Sequence, residues 1–236
     1  ALRSSVITTV VLTVSVVLVS LILGLVAALA LDKHFVGRGL ARTMMIAPFL
    51  IVPVAAALLF KHGFYNPVYG ILNGILSDIW NIFGSQHPPQ PDWLGSHALL
   101  MVEAELIWQW TPFMMLILLA GLQSRDREVV EASLIDGASA WQAFRHLTIP
   151  HLRRYLELGT VLGAIFIVQN FDSVFTITSG GLGTANLPYT IYETFYSAHD
   201  YGLASAQGVV VVAGSLVLAI FGLRVVSSLL SEESRR

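Results

Sequence analysis

The sequence contains no cysteine and little charge. None of its 236 residues is cysteine, and 12% are charged, where soluble domains carry about a quarter. The missing thiols exclude disulfides, thiolate metal sites and thiol catalysis. The net charge of −2 provides no bulk attraction to nucleic acid. The chain is instead 55% hydrophobic, and its apolar residues form long runs, as a lipid bilayer requires.

These runs predict an all-α fold, a polytopic bundle of membrane helices that forms one transmembrane domain over residues 1–236. A spanning helix needs about 20 residues, and five runs are long enough. The runs cover residues 6–31, 43–60, 99–122, 156–179 and 203–230. The sequence begins with Ala1 and not with Met, so either the chain was processed or the sequence begins late, and we expect a sixth, N-terminal span to be missing from it.

The distribution of Lys and Arg predicts the orientation of the chain. Segments 32–42 and 123–155 and the C-terminal tail hold ten of these residues, whereas the opposite side holds only Arg3 and Lys61. Loops rich in Lys and Arg stay in the cytoplasm, so we expect the 123–155 loop and the C-terminus there. The outward segment 61–98 has apolar residues at helical spacing, which predicts a short helix near residues 68–83 and then a proline-rich connection.

The loop 123–155 has the pattern of two short amphipathic helices. Ser124 can cap the first helix. Gly137 is expected either to end that helix or to permit another chain to pack closely on it. The second helix is predicted over 138–147, with Pro150 ending it. Such a compact pair fits a groove on a soluble partner, although periodicity alone also allows it to lie on the lipid surface.

The stretch "EASLIDGASAWQAFRHLTIP" carries a more specific pattern. It resembles the signature loop of the inner-membrane permeases of binding-protein-dependent ABC importers, in which an E-A-A start precedes D-G-A and a proline ending. The matching residues are Glu131, Ala132, Ser133, Asp136, Gly137, Ala138, Ile149 and Pro150. Ser133 replaces the usual second alanine, a change between small side chains. The stretches "GRGLARTMMIAPFLIVPVAAALLFKHGFYNPVYGILN" and "QNFDSVFTITSGGLGTANLPYTIYETFYSAHDYGLASA" resemble the sugar-importing branch of that family.

The resemblance implies a type I ABC importer permease fold and a function. The chain is expected to be one permease subunit of an ATP-driven importer of a disaccharide, another sugar or a sugar alcohol. The loop 131–150 would dock, as coupling helices, on a cytoplasmic ATPase whose closure rocks the bundle between inward- and outward-open states. No G-x-x-x-x-G-K-[ST] motif occurs in the sequence, so the chain itself is not expected to be an enzyme.

The same resemblance implies partners and a location. The partners are a second permease subunit that completes a heterodimer, two ATPase subunits, an extracytoplasmic sugar-binding protein and membrane lipid, without nucleic acid. ATP and magnesium are expected on the ATPase, and no cofactor is expected on this chain. The location is the plasma or inner membrane of a bacterium or an archaeon.

Polar and aromatic residues within the predicted spans are candidates for a sugar site, because intramembrane polar groups are costly and commonly functional. The candidates are Phe49, Gln109, Trp110, Phe113, Asn170, Phe171, Asp172 and Phe175. The resemblance implies substrate contact for the aromatic residues and for Asp172, whose carboxylate can accept two hydroxyl hydrogen bonds. Polar contacts between helices would also explain the group 169–175. Glu103 and Glu105 lie near the outer boundary, and we expect them to be solvated.

Two other classes of protein compete with this interpretation. An ion-coupled secondary transporter could use Asp172 as a proton relay, but it leaves the loop 131–150 without a role. An intramembrane zinc peptidase needs H-E-x-x-H, which the sequence lacks. His199 and Asp200 have no third ligand spaced near them, so no metal site is predicted.

Overall fold

The predicted all-α fold is confirmed by a computed structural model that describes residues 2–33, 35–82 and 89–233. The helices are α1 (Leu2–Asp32), α2 (Arg38–Leu50), α3 (Pro53–Leu58), α4 (Ile71–Ile82), α5 (Trp93–Gln123), α6 (Arg127–Ile135), α7 (Ala140–Ala143), α8 (Ile149–Val168), α9 (Asp172–Thr178), α10 (Leu187–Tyr196) and α11 (Tyr201–Glu233). Two π-helical segments, Leu59–Phe64 and Phe144–Thr148, extend α3 and join α7 to α8. The tail residues Arg235 and Arg236, used for the orientation, lie outside the described residues.

The core forms where α1 packs along α5 and α8 lies against both. Small residues allow the close approach, as is usual between helices in lipid. A Cβ on Gly24 of α1 would lie 2.8 Å from both Met114 Cβ and Met115 N of α5. A Cβ on Gly163 of α8 would lie 2.5 Å from Met114 Cε. Met114 therefore fills the space that these two glycines leave between the three helices.

The predicted spans divide into straight and broken helices. Helices α1 and α5, of 31 residues each, are long and apolar enough to cross a membrane. The second predicted span is a pair, 38–50 and 53–64, bent by 94°, and the fourth is bent by 51° between Val168 and Asp172. Each bent pair passes the same test of length and composition only when its two parts are counted together. Helix α11 covers the fifth predicted span and is apolar over Tyr201–Val217.

The bend between α2 and α3 follows from Pro53. A residue before proline is forced out of the helical region, and Ile51 and Val52 are both extended, with ψ of 135° and 132°. The break leaves the Ile51 carbonyl without a helical partner. Gln109 of α5 supplies one, since its Nε2 donates to Ile51 O at 3.0 Å. The carbonyl freed at this break is therefore satisfied by a side chain from a different helix, as lipid requires.

The bend between α8 and α9 is held by a second amide. The Asn186 Nδ2 donates to the Asn170 carbonyl at 2.6 Å, and Asn170 N donates to Ile167 O at 3.0 Å. Asn186 also caps α10, because its Oδ1 accepts from Tyr189 N at 3.1 Å. One side chain thus joins the break in the fourth span to the start of the following helix.

Residues 61–98, predicted to face outward, contain the short helix that their periodicity predicts. Helix α4 lies within the expected region, and Trp93 Nε1 donates to Asn73 Oδ1 at 2.7 Å. The Asn73 Nδ2 donates to the carbonyls of Pro67, at 2.9 Å, and Pro91, at 3.2 Å. Asn73 therefore fastens both ends of this segment. The predicted proline-rich connection lies partly outside the described residues, over 83–88.

Candidate functional site

The signature loop folds into two short helices, which we call the knob (residues 126–148). Helix α6 begins after Asp126, whose Oδ1 accepts from Glu128 N at 2.9 Å. The prediction that Ser124 caps this helix is wrong. Ser124 ends α5 instead, and its hydroxyl donates to Gly121 O at 3.0 Å. Asp126 is the better cap because it is the residue that directly precedes the first helical turn.

Gly137 ends α6 as predicted. Its φ is +89°, a conformation that glycine adopts without steric cost. Ala138 N donates to Ser133 O at 3.0 Å and Asp136 N donates to Ala132 O at 2.9 Å. The six-residue closure from Ala138 to Ser133 is a Schellman-type C-cap. Nothing in the described chain lies within 4 Å of a Cβ built on Gly137. The glycine is therefore needed for the turn, and its outer face is open.

The prediction that Pro150 ends the second helix is wrong. The helix runs without a break from Ala140 to Val168, and Pro150 lies in the first turn of α8. The π-helical segment Phe144–Thr148 explains the difference. Proline clashes with the carbonyl four residues before it in a regular α-helix. The wider π-helical turn directly before α8 relieves this crowding.

The knob offers an exposed surface of mixed chemistry. Apolar side chains protrude from it, with Ile135 exposed by 87% and Trp141 by 65%. Glu131 and Asp136 are also exposed, and a concavity of about 490 Å³ lies beside Gly137. The concavity is lined by Ser133, Asp136, Gly137, Ala138, Gln142 and His146, among others. Ser139 and Gln142 form a capping box that holds α7. A structured protrusion with exposed apolar and acidic groups suits docking to another protein.

The predicted sugar-site aromatics form two separate groups of ring contacts. In the first, Phe49 of α2 lies 5.7 Å from Trp110 and 5.3 Å from Phe113, both on α5, as measured between ring centroids. Phe166 of α8 joins this group at 5.4 Å from Trp110, although the sequence analysis did not select it. The three predicted residues are therefore brought together from two spans, next to the bend between α2 and α3.

The second group lies beyond the other bend. Phe171 and Phe175 stack at 5.0 Å, and both rings contact Tyr192 of α10 at 5.2 Å. Tyr196 extends the group, 4.9 Å from Tyr192. A cavity of about 480 Å³ is lined by Phe171, Tyr192 and Tyr196, with Ser205 of α11 on its wall. Sequence analysis missed the two tyrosines, although their spacing of four residues in "LPYTIYETFY" is the helical period.

Polar candidates lie at the edges of these groups. Asp172 is half-buried at the first residue of α9, next to Phe171. Asn170 Nδ2 lies 3.4 Å from the Ser173 hydroxyl, and its buried Oδ1 has no hydrogen-bond partner among the described residues. Gln109 is buried, and its Nε2 is engaged by Ile51 O. Asp172 is therefore the predicted polar residue most available to a ligand, and Gln109 is the least available.

Glu103 and Glu105 are buried, so the expectation that they are solvated is wrong. Glu103 Oε1 accepts from the Ser15 hydroxyl of α1 at 2.7 Å. Glu105 is 0% exposed, on a different side of α5, with Ser173 and Asp172 of α9 beside it. The two acids sit where α5 meets α1 and α9, and the sequence position near a boundary gave no sign of this packing.

The phenol of Tyr189 sits at the start of α10, outside the spans. Burial, followed by the nearby Glu193 carboxylate and by Tyr192, raises the pKa of the Tyr189 phenol above its ordinary value. Like any tyrosine at neutral pH, Tyr189 carries its phenolic proton and can donate a hydrogen bond. Its ring centroid lies 6.2 Å from that of Tyr192, at the margin of the second aromatic group.

A larger concavity, of about 800 Å³, has different chemistry. It lies between α1, α8 and α11 and is lined mainly by apolar side chains such as Val6, Val10, Ala164 and Val210. A sugar needs several hydrogen-bonding groups, and few of the lining side chains carry one, namely Thr9, Thr13, Gln207 and Ser215. The smaller cavity beside Phe171 and Tyr192 is therefore the better candidate for a polar ligand.

Comparison with known proteins decides the family. The family model described as "Binding-protein-dependent transport system inner membrane component" matches residues 6–230. The chain belongs to this family. These inner membrane components are transport proteins and not enzymes.

Two curated relatives illustrate the similarity to other family members. A probable ABC transporter permease protein, y4oQ, of Sinorhizobium fredii is 38% identical over 84% of this chain and 62% of its own length. The trehalose/maltose transport system permease protein MalF of Thermococcus litoralis is 35% identical over 86% of this chain and 68% of its own length. The chain thus spans about two thirds of the length of these relatives.

A solved structure supports the fold of this inner membrane component. The bacterial alginate ABC transporter, in complex with an alginate pentasaccharide-bound periplasmic protein, matches 93% of this chain and 76% of its own chain. The TM-score is 0.79 at 21% sequence identity. At this identity the match concerns the fold alone, and the fold is that of an ABC transporter membrane subunit.

Proposed function

We propose that this inner membrane component is the permease subunit of an ATP-driven carbohydrate importer. The knob is the observation that carries the proposal. Six of the eight signature residues lie in this compact protrusion, which internal caps hold, and the other two begin α8 directly after it. Gly137 leaves the outer face of the protrusion open. A lipid-facing pair of helices would not need acidic and small residues on that face. A protein that contacts Glu131 and packs closely on Gly137 accounts for both features.

The proposed partner of the knob is a separate ATPase subunit that binds ATP and magnesium. ATP-driven closure of an ATPase dimer would displace the knob, and the bundle would alternate between inward- and outward-open states. This mechanism puts the knob and the C-terminus in the cytoplasm, as the Lys and Arg distribution favours. A second permease subunit completes the pathway, and a sugar-binding protein delivers the substrate on the outer side.

The proposed substrate is a neutral sugar, and a disaccharide such as trehalose or maltose is the first to test. The relative from Thermococcus litoralis carries these two sugars in its name. The second aromatic group supports the proposal, because stacked rings beside Asp172 and the Tyr189 phenol combine flat apolar faces with hydrogen-bonding groups. Such a combination suits the apolar faces and the hydroxyl groups of a pyranose ring.

The test is uptake by the assembled complex. The chain is reconstituted in proteoliposomes with its second permease subunit, its ATPase and its binding protein, and radiolabelled trehalose, maltose and sorbitol are supplied outside. We expect accumulation of one of them, dependent on ATP inside and on binding protein outside. Uptake by the permease subunits alone, driven by a proton or sodium gradient and indifferent to ATP, would contradict the proposal.

A further inference from the structure

A single arginine ties three separate elements together beside the knob. Arg125 follows the end of α5 and precedes α6. Its Nη2 donates to Asp32 Oδ2, at the last residue of α1, at 2.9 Å. Its Nη1 donates to the Thr148 hydroxyl, in the π-helical segment before α8, at 3.0 Å. One planar group therefore spans α1, the start of the knob and the end of the knob.

These partners are shielded from solvent. Thr148 is buried, and the side chains of Arg125 and Asp32 are 22% and 12% exposed. The second oxygen of Asp32, Oδ1, is buried and accepts no hydrogen bond from the described residues. Arg125 is therefore the group that compensates the Asp32 carboxylate. A shielded ion pair of this kind resists salt and holds its geometry better than a solvated pair.

Neighbouring contacts fasten the same region to α5 and α8. Ser124 Oγ lies 2.8 Å from Tyr155 Oη, and His151 Nε2 lies 3.1 Å from Gly121 O. A Cβ on Gly121 would lie 2.5 Å from the Tyr155 ring, so α5 and α8 touch closely here. These contacts fasten the end of α5 to the start of α8, at the base of the knob. Arg125 adds the connection to α1, 93 residues away.

We propose that Arg125 is a positioning residue that makes the knob, α1 and α8 move as one body. The inference rests on the proposed function, in which a displacement of the knob must reach the membrane helices. Through Arg125, a push on the knob acts on α1 directly as well as on α8. Without Arg125, the knob still binds the ATPase. Its movement is then not passed on to α1 and α8, so ATP is hydrolysed with little transport.

The role requires arginine and not a positive charge alone. The guanidinium presents donors in a rigid fork, so one residue can satisfy Asp32 and Thr148 at once in a fixed geometry. A lysine ammonium is a flexible point charge and can neutralise Asp32 without fixing the direction to Thr148. Arg125→Lys is therefore expected to assemble normally and to retain only part of the coupling.

The experiment measures ATP hydrolysis and sugar uptake together in proteoliposomes of the full complex. We expect Arg125→Met and Asp32→Asn to keep ATPase activity stimulated by the binding protein within about twofold and to reduce the sugar imported per ATP by about tenfold. Arg125→Lys should lie between these variants and the unmodified complex. A merely structural role would lower both rates in proportion, because fewer complexes would be active, and this outcome would overturn the proposal.

The matched control is Arg153→Met. Arg153 also pairs with an acid, Glu157, at 2.7 Å, but its side chain is 76% exposed on the surface of α8. Such a surface pair contributes little, so sugar imported per ATP should stay unchanged. An equal loss of coupling in this control would show that any arginine near the knob has the same effect, and it would refute the specific role of Arg125.

A distance measurement keeps the proposal testable if Arg125→Met assembles poorly. The native chain has no cysteine, so two spin labels can be introduced specifically, at the exposed positions Ala30 of α1 and Ala140 of α7. We expect their distance distribution to stay narrow through the ATP cycle and to broaden in Arg125→Lys. A distribution equally narrow in both complexes would contradict the inference. Failure of the proposed function is distinct, because the unmodified complex would then show no ATP-dependent uptake at all.

Discussion

The knob and the second aromatic group differ in the sequence distance over which each is built. The bonds that shape the knob join residues two to five positions apart, such as Asp126 to Glu128 and Ala138 to Ser133. The aromatic group depends on longer connections, such as Asn186 to Asn170 across 16 positions. The first bend depends on a still longer one, from Gln109 to Ile51 across 58 positions.

Because the two regions are built differently, the coupling through the knob and the substrate specificity of the aromatic group can be changed independently. A locally built protrusion keeps its shape while the bundle around it moves, because its caps do not depend on distant partners. A site assembled at helix breaks changes shape whenever the helices shift. The knob is thus suited to a constant docking partner, and the aromatic group to a substrate that must be bound in one state and released in another.

The largest expected effect comes from filling the open face of the knob. Gly137→Leu should reduce ATP-dependent uptake by about 100-fold, the loss expected when a central interface contact of about 3 kcal/mol is removed. Binding of sugar to the isolated binding protein should be unchanged. The control is Gly37→Leu, since Gly37 has the same φ of +89° and the same free space. Equal losses in both variants would mean that backbone strain, and not docking, is responsible.

The next largest effect is expected at Asp172, beside the second aromatic group. Asp172→Ala should raise the KM for transport by about tenfold, because hydrogen bonds to a charged group contribute about 1.5–3 kcal/mol. The control Asp78→Ala changes an exposed carboxylate on α4 and should leave KM unchanged. Transport assays over a range of sugar concentrations separate KM from the maximal rate. An unaltered KM in Asp172→Ala would assign this residue to helix packing.

A smaller effect is expected at Gln109, where a substitution tests whether the side chain stabilises the helix break or contacts the substrate. Gln109→Met leaves the Ile51 carbonyl without its donor, which costs about 1–3 kcal/mol and lowers Tm by a few degrees for a chain of this size. The expected result is a lower Tm of the purified complex with an unchanged KM. A raised KM at constant Tm would restore the prediction that Gln109 binds sugar.

The smallest effect tests the local caps of the knob. Ser139→Ala removes the capping box of α7 and costs about 1 kcal/mol of helix stability. We expect a loss of ATP-dependent uptake of only a few fold, because the rest of α7 is continuous with α8. Ser139→Asn should recover the activity, since asparagine is an equally good N-cap. No recovery would indicate that the serine hydroxyl contacts the partner directly.

What could be predicted from the sequence depends on the same difference between contacts of nearby residues and contacts of distant residues. The all-α fold, the end of α6 at Gly137 and the short helix α4 were predictable, because each depends on nearby residues. The bend at Pro53 was not predicted, because the apolar run around it reads as one span and the donor that satisfies the freed carbonyl, Gln109, comes from a different helix. The burial of Glu105 and the bond from Arg125 to Asp32 depend on how helices pack, and no local pattern encodes either.

The unbroken helix through Pro150 has a mechanical consequence. From Ala140 to Val168 the backbone is one rod, about 40 Å long at 1.5 Å per residue. A tilt of only about 10° at its near end sweeps its far end through about 7 Å, which exceeds one helical turn. Phe166 lies in the last turn at that far end, and the helix break at Asn170 follows directly after it. A hinge at the proline would have dissipated this sweep, whereas the widened turn lets the rod act as a lever arm with the proposed sugar site at its tip.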